Sequence, residues 1–183
     1  MPNVDYGAPC YKVFVDGAEV PAGIYTDIIT AEVRDSLNMA NMITLTLANK
    51  QTKYSGGNDF GEGKVLKIEM GYRDHTEALC EGEIVAIEPV FPLKGSDTVV
   101  IRAYDRLHRL RYGRKRRGWG SGQAPDQTYQ MVIDKVAQDL GLTPDYDDKP
   151  PTDLKFNFIF QNNEYDIDFL KRIAREIGYE VDV

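Results

Sequence analysis

Two histidines and two cysteines are all that this 183-residue chain offers of the side chains most used for metal binding and nucleophilic relays. His75 and His108 stand isolated, so a histidine-built metal centre or a Ser-His-Asp arrangement has almost nothing to draw on. Cys10 and Cys80 show no C-x-x-C spacing and read as two reduced thiols that pack like small hydrophobes. No apolar run approaches the roughly 18 residues a membrane span needs. The N-terminus lacks the basic region and apolar core of a signal peptide, which predicts synthesis in the cytoplasm without export through that route.

Phosphate and nucleotide fingerprints are missing too. In Gly56–Lys64, Asn58 stands where a P-loop needs its first glycine, and Val65 follows Lys64 where Ser or Thr belongs. That stretch predicts an interface or mobile loop. Gly118-x-Gly120-x-Gly122 has the wrong spacing for a dinucleotide turn and predicts a loop around Trp119. Asp145, Asp147 and Asp148 lack EF-hand spacing and read as a solvated acidic loop. Nothing brings two particular carboxylates together as a hydrolytic pair. The expectation is a protein that is not an enzyme, with no cofactor and no metal.

What is present is ordinary globular composition and one charge anomaly. A hydrophobic share of 42% and a charged share of 28% suit one sizeable domain or two small ones. The net charge of −7 hides seven basic residues between Arg106 and Arg117, with no acid among them. Without them 15 basic residues face 29 acidic ones. A concentrated positive segment on an acidic body is a docking device. The candidate partner-docking residues are Arg109, Arg111, Arg114, Lys115, Arg116, Arg117 and Trp119. Tyr112 and Trp119 offer some stacking for a nucleic acid, but the acidic remainder would repel a polyanion. A protein partner is therefore favoured, with a nucleic-acid-binding barrel using Arg106–Arg117 as the alternative.

In chain order, residues 1–9 read as a loose arm, and Asp16-Gly17 as the turn of a hairpin over Tyr11–Val20. Strands are predicted over 26–35, 42–48, 64–72, 78–90 and 98–104, with Ile43, Leu45 and Leu47 on one face of the second. Asn49–Gly63 has no apolar period and reads as a long loop of the kind that is usually functional. After Asp105, a candidate cap for a helical turn through Leu110, the pattern changes. A helix follows over Thr128–Leu140, capped by Thr128 and closed by Gly141. A strand over 155–160 places Phe156, Phe158 and Phe160 on one face. A second helix buries Phe169, Leu170, Ile173, Ala174 and Ile177, with Glu164, Asp166 and Asp168 at its positive end and Gly178 stopping it. Tyr179–Val183 alternates like a strand that continues past the last residue. The fold class is thus β-rich α+β. An antiparallel β-barrel occupies 1–105, and 106–183 holds a basic loop, linking helices and a helix–strand–helix segment that begins a second module.

Three segments carry a family likeness: DRLHRLRYGRKRRGW (Asp105–Trp119), the Thr128–Leu142 helix ending in Gly-Leu, and QNNEYDIDFLKRIAREIGYE (Gln161–Glu180). DFGEGKVLKIEMGY (Asp59–Tyr72) and CEGEIVAIEP (Cys80–Pro89) add weaker phrases. Together they resemble the phage late control D proteins, the tail baseplate hub family that includes VgrG-like hubs of contractile injection systems. The likeness covers the N-terminal half of a usual member. It implies a structural protein of a virion tail or injection particle, with 1–105 as the first tube-like hub module and 106–183 as the start of the second. It further implies a homotrimer in full-length form, adapting a sixfold tail tube to a threefold spike. The implied partners are the tail tube protein, a spike protein or C-terminal spike domain, and baseplate proteins, with no membrane involved. Truncation at Val183 is part of the same expectation.

Overall fold

Asp16-Gly17 forms the turn that the sequence predicts, with φ of 50° and 80° at the two residues. That geometry matches the twist of the strands it joins, β1 (Pro9–Val15) and β2 (Ala18–Glu19). The Asp16 side chain also accepts the Val65 N–H at 2.9 Å, tying the turn to the next strand of the sheet. The computed structural model describes residues 9–35, 39–56, 59–72, 75–120, 127–146, 150 and 154–181. The expected N-terminal arm and most of the acidic loop before residue 154 lie outside these residues. The chain divides into two compact units, 1–105 and 106–183.

In the first unit a single-turn helix, α1 (Ala22–Tyr25), leads into β3 (Ile28–Arg34), β4 (Met42–Ala48), β5 (Val65–Tyr72), β6 (His75–Val90) and β7 (Thr98–Tyr104). Every ladder is antiparallel, in the order β2-β1-β5-β6-β7-β4-β3. Val13, Leu45, Leu66, Ile68, Val99 and Ile101 are all fully buried. One sheet buries an entire face so completely only by curling on itself. The fold is therefore the expected β-rich antiparallel one. Among the described residues no ladder joins β3 to β2, and the curl is open along that seam.

The curl depends on β6. Its first half pairs with β5, its second half pairs with β7, and register shifts occur near Leu79 and Val85. Such bulges bend a strand and raise its twist. Gly82 lies between them, where a Cβ would stand 2.5 Å from the Tyr104 carbonyl oxygen. Only a residue without a side chain lets the two backbones approach this closely.

Asn49–Gly63, expected as a long loop, closes one part of the core through its described residues. Tyr54 and Phe60 are buried against each other edge to face, 5.9 Å between centroids. Buried Asn49 accepts the Tyr54 N–H at 3.0 Å and donates to Ser55 Oγ at 2.8 Å. Tyr54 donates its hydroxyl to Asp27 at 2.6 Å, and Lys53 donates to the same oxygen at 2.9 Å. Two aromatics in a polar stretch carry no period, which is why pattern reading passes over them. Near the open seam, the Tyr25 hydroxyl accepts the Val13 N–H at 3.0 Å and donates to Glu19. Burial pushes the Cys80 thiol up to about 11, helped by nearby carboxylates including Asp105, and the side chain packs within the core cluster.

The second unit opens with a 3-10 helix over Arg106–Arg111. The Asp105 carboxylate that precedes it accepts the Asn41 N–H at 2.7 Å. Then come β8 (Lys115–Trp119), α2 (Tyr129–Asp139), β9 (Ile159–Glu164) and α3 (Asp166–Glu176). The Thr128 side chain accepts the Met131 N–H at 3.3 Å as the expected N-cap. Both helices end in left-handed glycines, Gly141 and Gly178, followed by the paired backbone bonds of a Schellman stop.

Two expectations are corrected here. The basic segment is not a loop throughout, since Lys115–Trp119 pairs antiparallel with β9. That pairing moves the strand predicted over 155–160 to 159–164: Phe156 is buried, while Phe158 and Phe160 are exposed. Of the stretch expected to open a strand, Tyr179–Val183, residues 179–181 pair with no strand among the described residues and the last two lie outside them.

Two stability predictions follow from the first unit. Gly82→Ala is expected to cost about 2 kcal/mol or more in urea denaturation, because the clash is with backbone that cannot rotate away. The hydrogen bonds from Tyr54 and then Lys53 hold the Asp27 carboxyl below its ordinary value. A depressed carboxyl stabilises the fold above its unfolded pKa of about 3.9, and that stabilisation is lost as pH falls through the folded value. The melting temperature should drop below about pH 4, and Asp27→Asn should flatten that part of the profile.

Candidate docking surface

Alternation in β8 and β9 sorts the basic segment into two faces. Arg117 and Trp119 pair with Gln161 and Ile159 and point inward, while Arg116 and Gly118 pair with Asn162 and Phe160 and point outward. Inward, Arg117 makes a fork of contacts. Its Nη2 donates to Asp166 in a short contact, Nε donates to Gln161 Oε1 at 2.9 Å, and Nη1 donates to Asp139 at 3.2 Å. Gln161 donates in turn to Asp166 at 2.8 Å and to the Glu164 carbonyl at 3.2 Å. Asp166 is 2% exposed and Gln161 fully buried. The expectation that Asp166 merely complements the α3 dipole is thus incomplete, for it is also the acceptor at the centre of a buried network. The Lys135 hydrogen bond first, then the charges of Lys135, Arg117 and Lys115, hold the Asp139 carboxyl below its usual range.

The other docking candidates divide in the same way. Trp119 stacks on Phe169 at 6.3 Å with the Arg117 guanidinium over its ring. Arg109 donates to the Leu140 carbonyl at 3.2 Å, which stabilises the C-terminus of α2. Arg114 lies over the Tyr165 ring at 5.2 Å. Arg111, Lys115 and Arg116 are exposed, and Arg116 has no ion pair among the described residues. Of the seven candidates, then, Arg109, Arg117 and Trp119 serve the interior of the unit, while Arg111, Arg114, Lys115 and Arg116 remain at the surface.

Phe158 and Phe160 were absent from the sequence-based candidates. They stack at 6.2 Å with 14° between ring planes on the outward face, 60% and 46% exposed. A Cβ on Gly118 would stand 3.1 Å from the Phe158 ring, so the glycine lets the rings lie flat across the ribbon. Their alternation is legible in the sequence, but Phe156 shares it and is buried, so the pattern alone does not say which phenylalanines face solvent. The outward face is therefore an apolar centre edged by Arg116 and Asn162, as in the core and rim of an interface.

Charge is distributed unevenly between the units. Residues 1–105 contain nine basic and 16 acidic residues, hence the whole net charge, while 106–183 contain 13 of each sign. Among the described residues no group of His, Cys, Asp and Glu is arranged to hold a metal ion, and no helix is long and apolar enough to cross a membrane.

No protein-family model and no curated protein matches the sequence. Among solved structures, the chain is similar to the 43 kDa tail protein of prophage MuSo2 from Shewanella oneidensis, with a TM-score of 0.64 and 15% identity over 93% of this chain and 49% of that one. It is also similar to the E. coli c3393 protein, described as a component of the type VI secretion system with structural similarity to the T4 bacteriophage tail proteins gp27 and gp5. There the TM-score is 0.56 and the identity 14%, covering 89% of this chain and 42% of that one. A tail protein from Neisseria meningitidis MC58 gives a TM-score of 0.55 at 15% identity, covering 94% of this chain and 46% of that one. The chain spans about half the length of these proteins or somewhat less. At such identities the likeness is one of fold: this chain has a fold found in phage tail proteins.

Arg117→Ala is expected to destabilise the protein by about 3 kcal/mol, because it leaves Asp166 buried without its cation. Arg117→Lys should restore little, since an ammonium cannot reproduce the three-way fork. Arg116→Ala should change the denaturation midpoint by no more than about 0.5 kcal/mol.

Proposed function

We propose that this protein is a structural hub, or a hub segment, of a phage tail baseplate or contractile injection system. The carrying observation is the shared fold, which extends over 93% of the chain in its likeness to the MuSo2 tail protein. In this reading residues 1–105 are the first tube-like module and 106–183 the beginning of the second. The work is mechanical: three chains, each with two similar modules, present six-fold contacts to a tail tube and three-fold contacts to a spike. A β-rich module suits that task, because ring closure protects sheet edges that would otherwise be exposed.

The surface cations Arg111, Arg114, Lys115 and Arg116, with Phe158 and Phe160, are the residues assigned to docking other tail subunits. Phenylalanine supplies buried area and arginine supplies register against an acidic neighbour. The alternative nucleic-acid reading is weakened by the inward use of Arg109, Arg117 and Trp119, which removes much of the basic run from any polyanion. No enzymatic step belongs to this role.

The natural full-length protein should have the mass of three copies by multi-angle light scattering. A strictly monomeric full-length species overturns the ring. Tight, salt-sensitive binding of DNA or RNA that is lost in a variant with Arg111, Arg114, Lys115 and Arg116 changed to Ala would favour the alternative instead.

A further inference from the structure

The β8–β9 ribbon has two outer edges, and they differ. On β9 the edge is capped at Phe160, whose carbonyl accepts Arg172 Nη2 of α3 at 2.9 Å. A carbonyl turned away from the neighbouring strand marks a residue pair that exchanges no ladder bonds, so Gly118, opposite Phe160, turns its own N–H and C=O away from β9 too. Arg116, two residues earlier in the same register, shares that orientation. Among the described residues no hydrogen bond meets these four backbone groups. Two strands alone are marginal in water, and an open edge is a template for a third.

The side chains along that edge specify what a third strand carries. Gly118 presents only backbone, and the exposed Phe158 ring lies over it, stacked on Phe160. A strand laid beside β8 sets one outward residue next to Gly118, within reach of that ring, and another next to Arg116. The first position favours an apolar side chain. The second favours a carboxylate, because Arg116 is exposed without an ion pair among the described residues and follows exposed Lys115. The β8 edge of a second copy is a poor occupant, since it brings Lys115 and Arg116 against like charge. A nucleic acid satisfies Arg116 but offers no alternating row of N–H and C=O groups to pair with Gly118.

We infer that the open edge of β8 receives an extended acidic strand from another protein. The backbone of that strand pairs with Arg116 and Gly118, one apolar side chain meets Phe158, and a carboxylate meets Arg116. Backbone bonds supply affinity in such strand addition, and the alternate side chains supply specificity. The inference rests on the reading of this face as a docking surface and names the chemistry of what docks there. It is independent of the number of chains in the ring.

Amide hydrogen exchange followed by NMR on the whole chain tests it. The probe is a threonine-rich peptide with a central valine and a glutamate two positions to either side, so that it fits in either strand direction. In the free protein the Arg116 and Gly118 amides should exchange fast, and saturating peptide should slow both by about tenfold or more. The same peptide N-methylated along its backbone should not bind. Lysine in place of both glutamates should weaken binding about tenfold, and Arg116→Glu should reverse that preference. Slow exchange of the two amides in the free protein overturns the inference, because the edge is then already taken. So does equal binding of the N-methylated peptide, or no binding of the glutamate peptide. Protection of these amides by a DNA oligonucleotide but not by the peptide would assign the face to nucleic acid. The three-copy mass is measured without peptide, so the ring and the edge stand or fall separately.

Discussion

The second unit depends on one buried carboxylate. Asp166 takes hydrogen bonds from Arg117 and Gln161, which join the first turn of α3 to both strands of the β8–β9 ribbon. Arg117 reaches further, to Asp139 at the end of α2. A carboxyl group at 2% exposure is tolerable only when its lone pairs are met and a cation stands beside it. The register of the ribbon is therefore not free to slip. Moving β8 by one residue would turn Arg117 outward and leave Asp166 and Gln161 without their cation.

That constraint also decides which surface is available. With Arg117 and Trp119 committed inward, Arg116 and Gly118 necessarily face out, and the bare glycine lets Phe158 and Phe160 lie across the ribbon. A conspicuous block of positive charge thus serves two purposes. Part of it is structural, balancing interior acids and helix ends, and part is presented at the surface. Counting the charges alone overstates how much of the block can meet a partner.

The first unit is governed by backbone closeness more than by charge. β6 changes partner from β5 to β7 along its length, and the change requires two register shifts with Gly82 between them. The curled sheet then needs its remaining gaps filled by groups outside the strands. Tyr54 and Phe60 fill one from the long loop, and Val20 and Ile24 fill another beside the open seam. Long stretches of irregular chain here are core material held by a few aromatic and aliphatic anchors, with Asn49 satisfying the backbone between them.

Much of this was legible in the residues alone, for definite reasons. Period-two runs such as Ile43, Leu45 and Leu47 place strands in a half-buried sheet wherever they occur. Asp16-Gly17 specifies its turn, and Thr128, Gly141 and Gly178 mark helix ends, because each acts through neighbours within a few positions. The same local rules found α3 and its apolar face. They could not find that the basic segment forms a strand or that the predicted strand at 155–160 lies four residues later. Those outcomes depend on which distant segment supplies hydrogen bonds. Nor could they assign Arg117 to the interior and Arg116 to the surface, since adjacent arginines are chemically identical until pairing sets the face each one takes. Sequence determined the first unit's strands, the hairpin turn and the helices with their ends; tertiary pairing decided the β8–β9 ribbon and which side chains are left to meet another molecule.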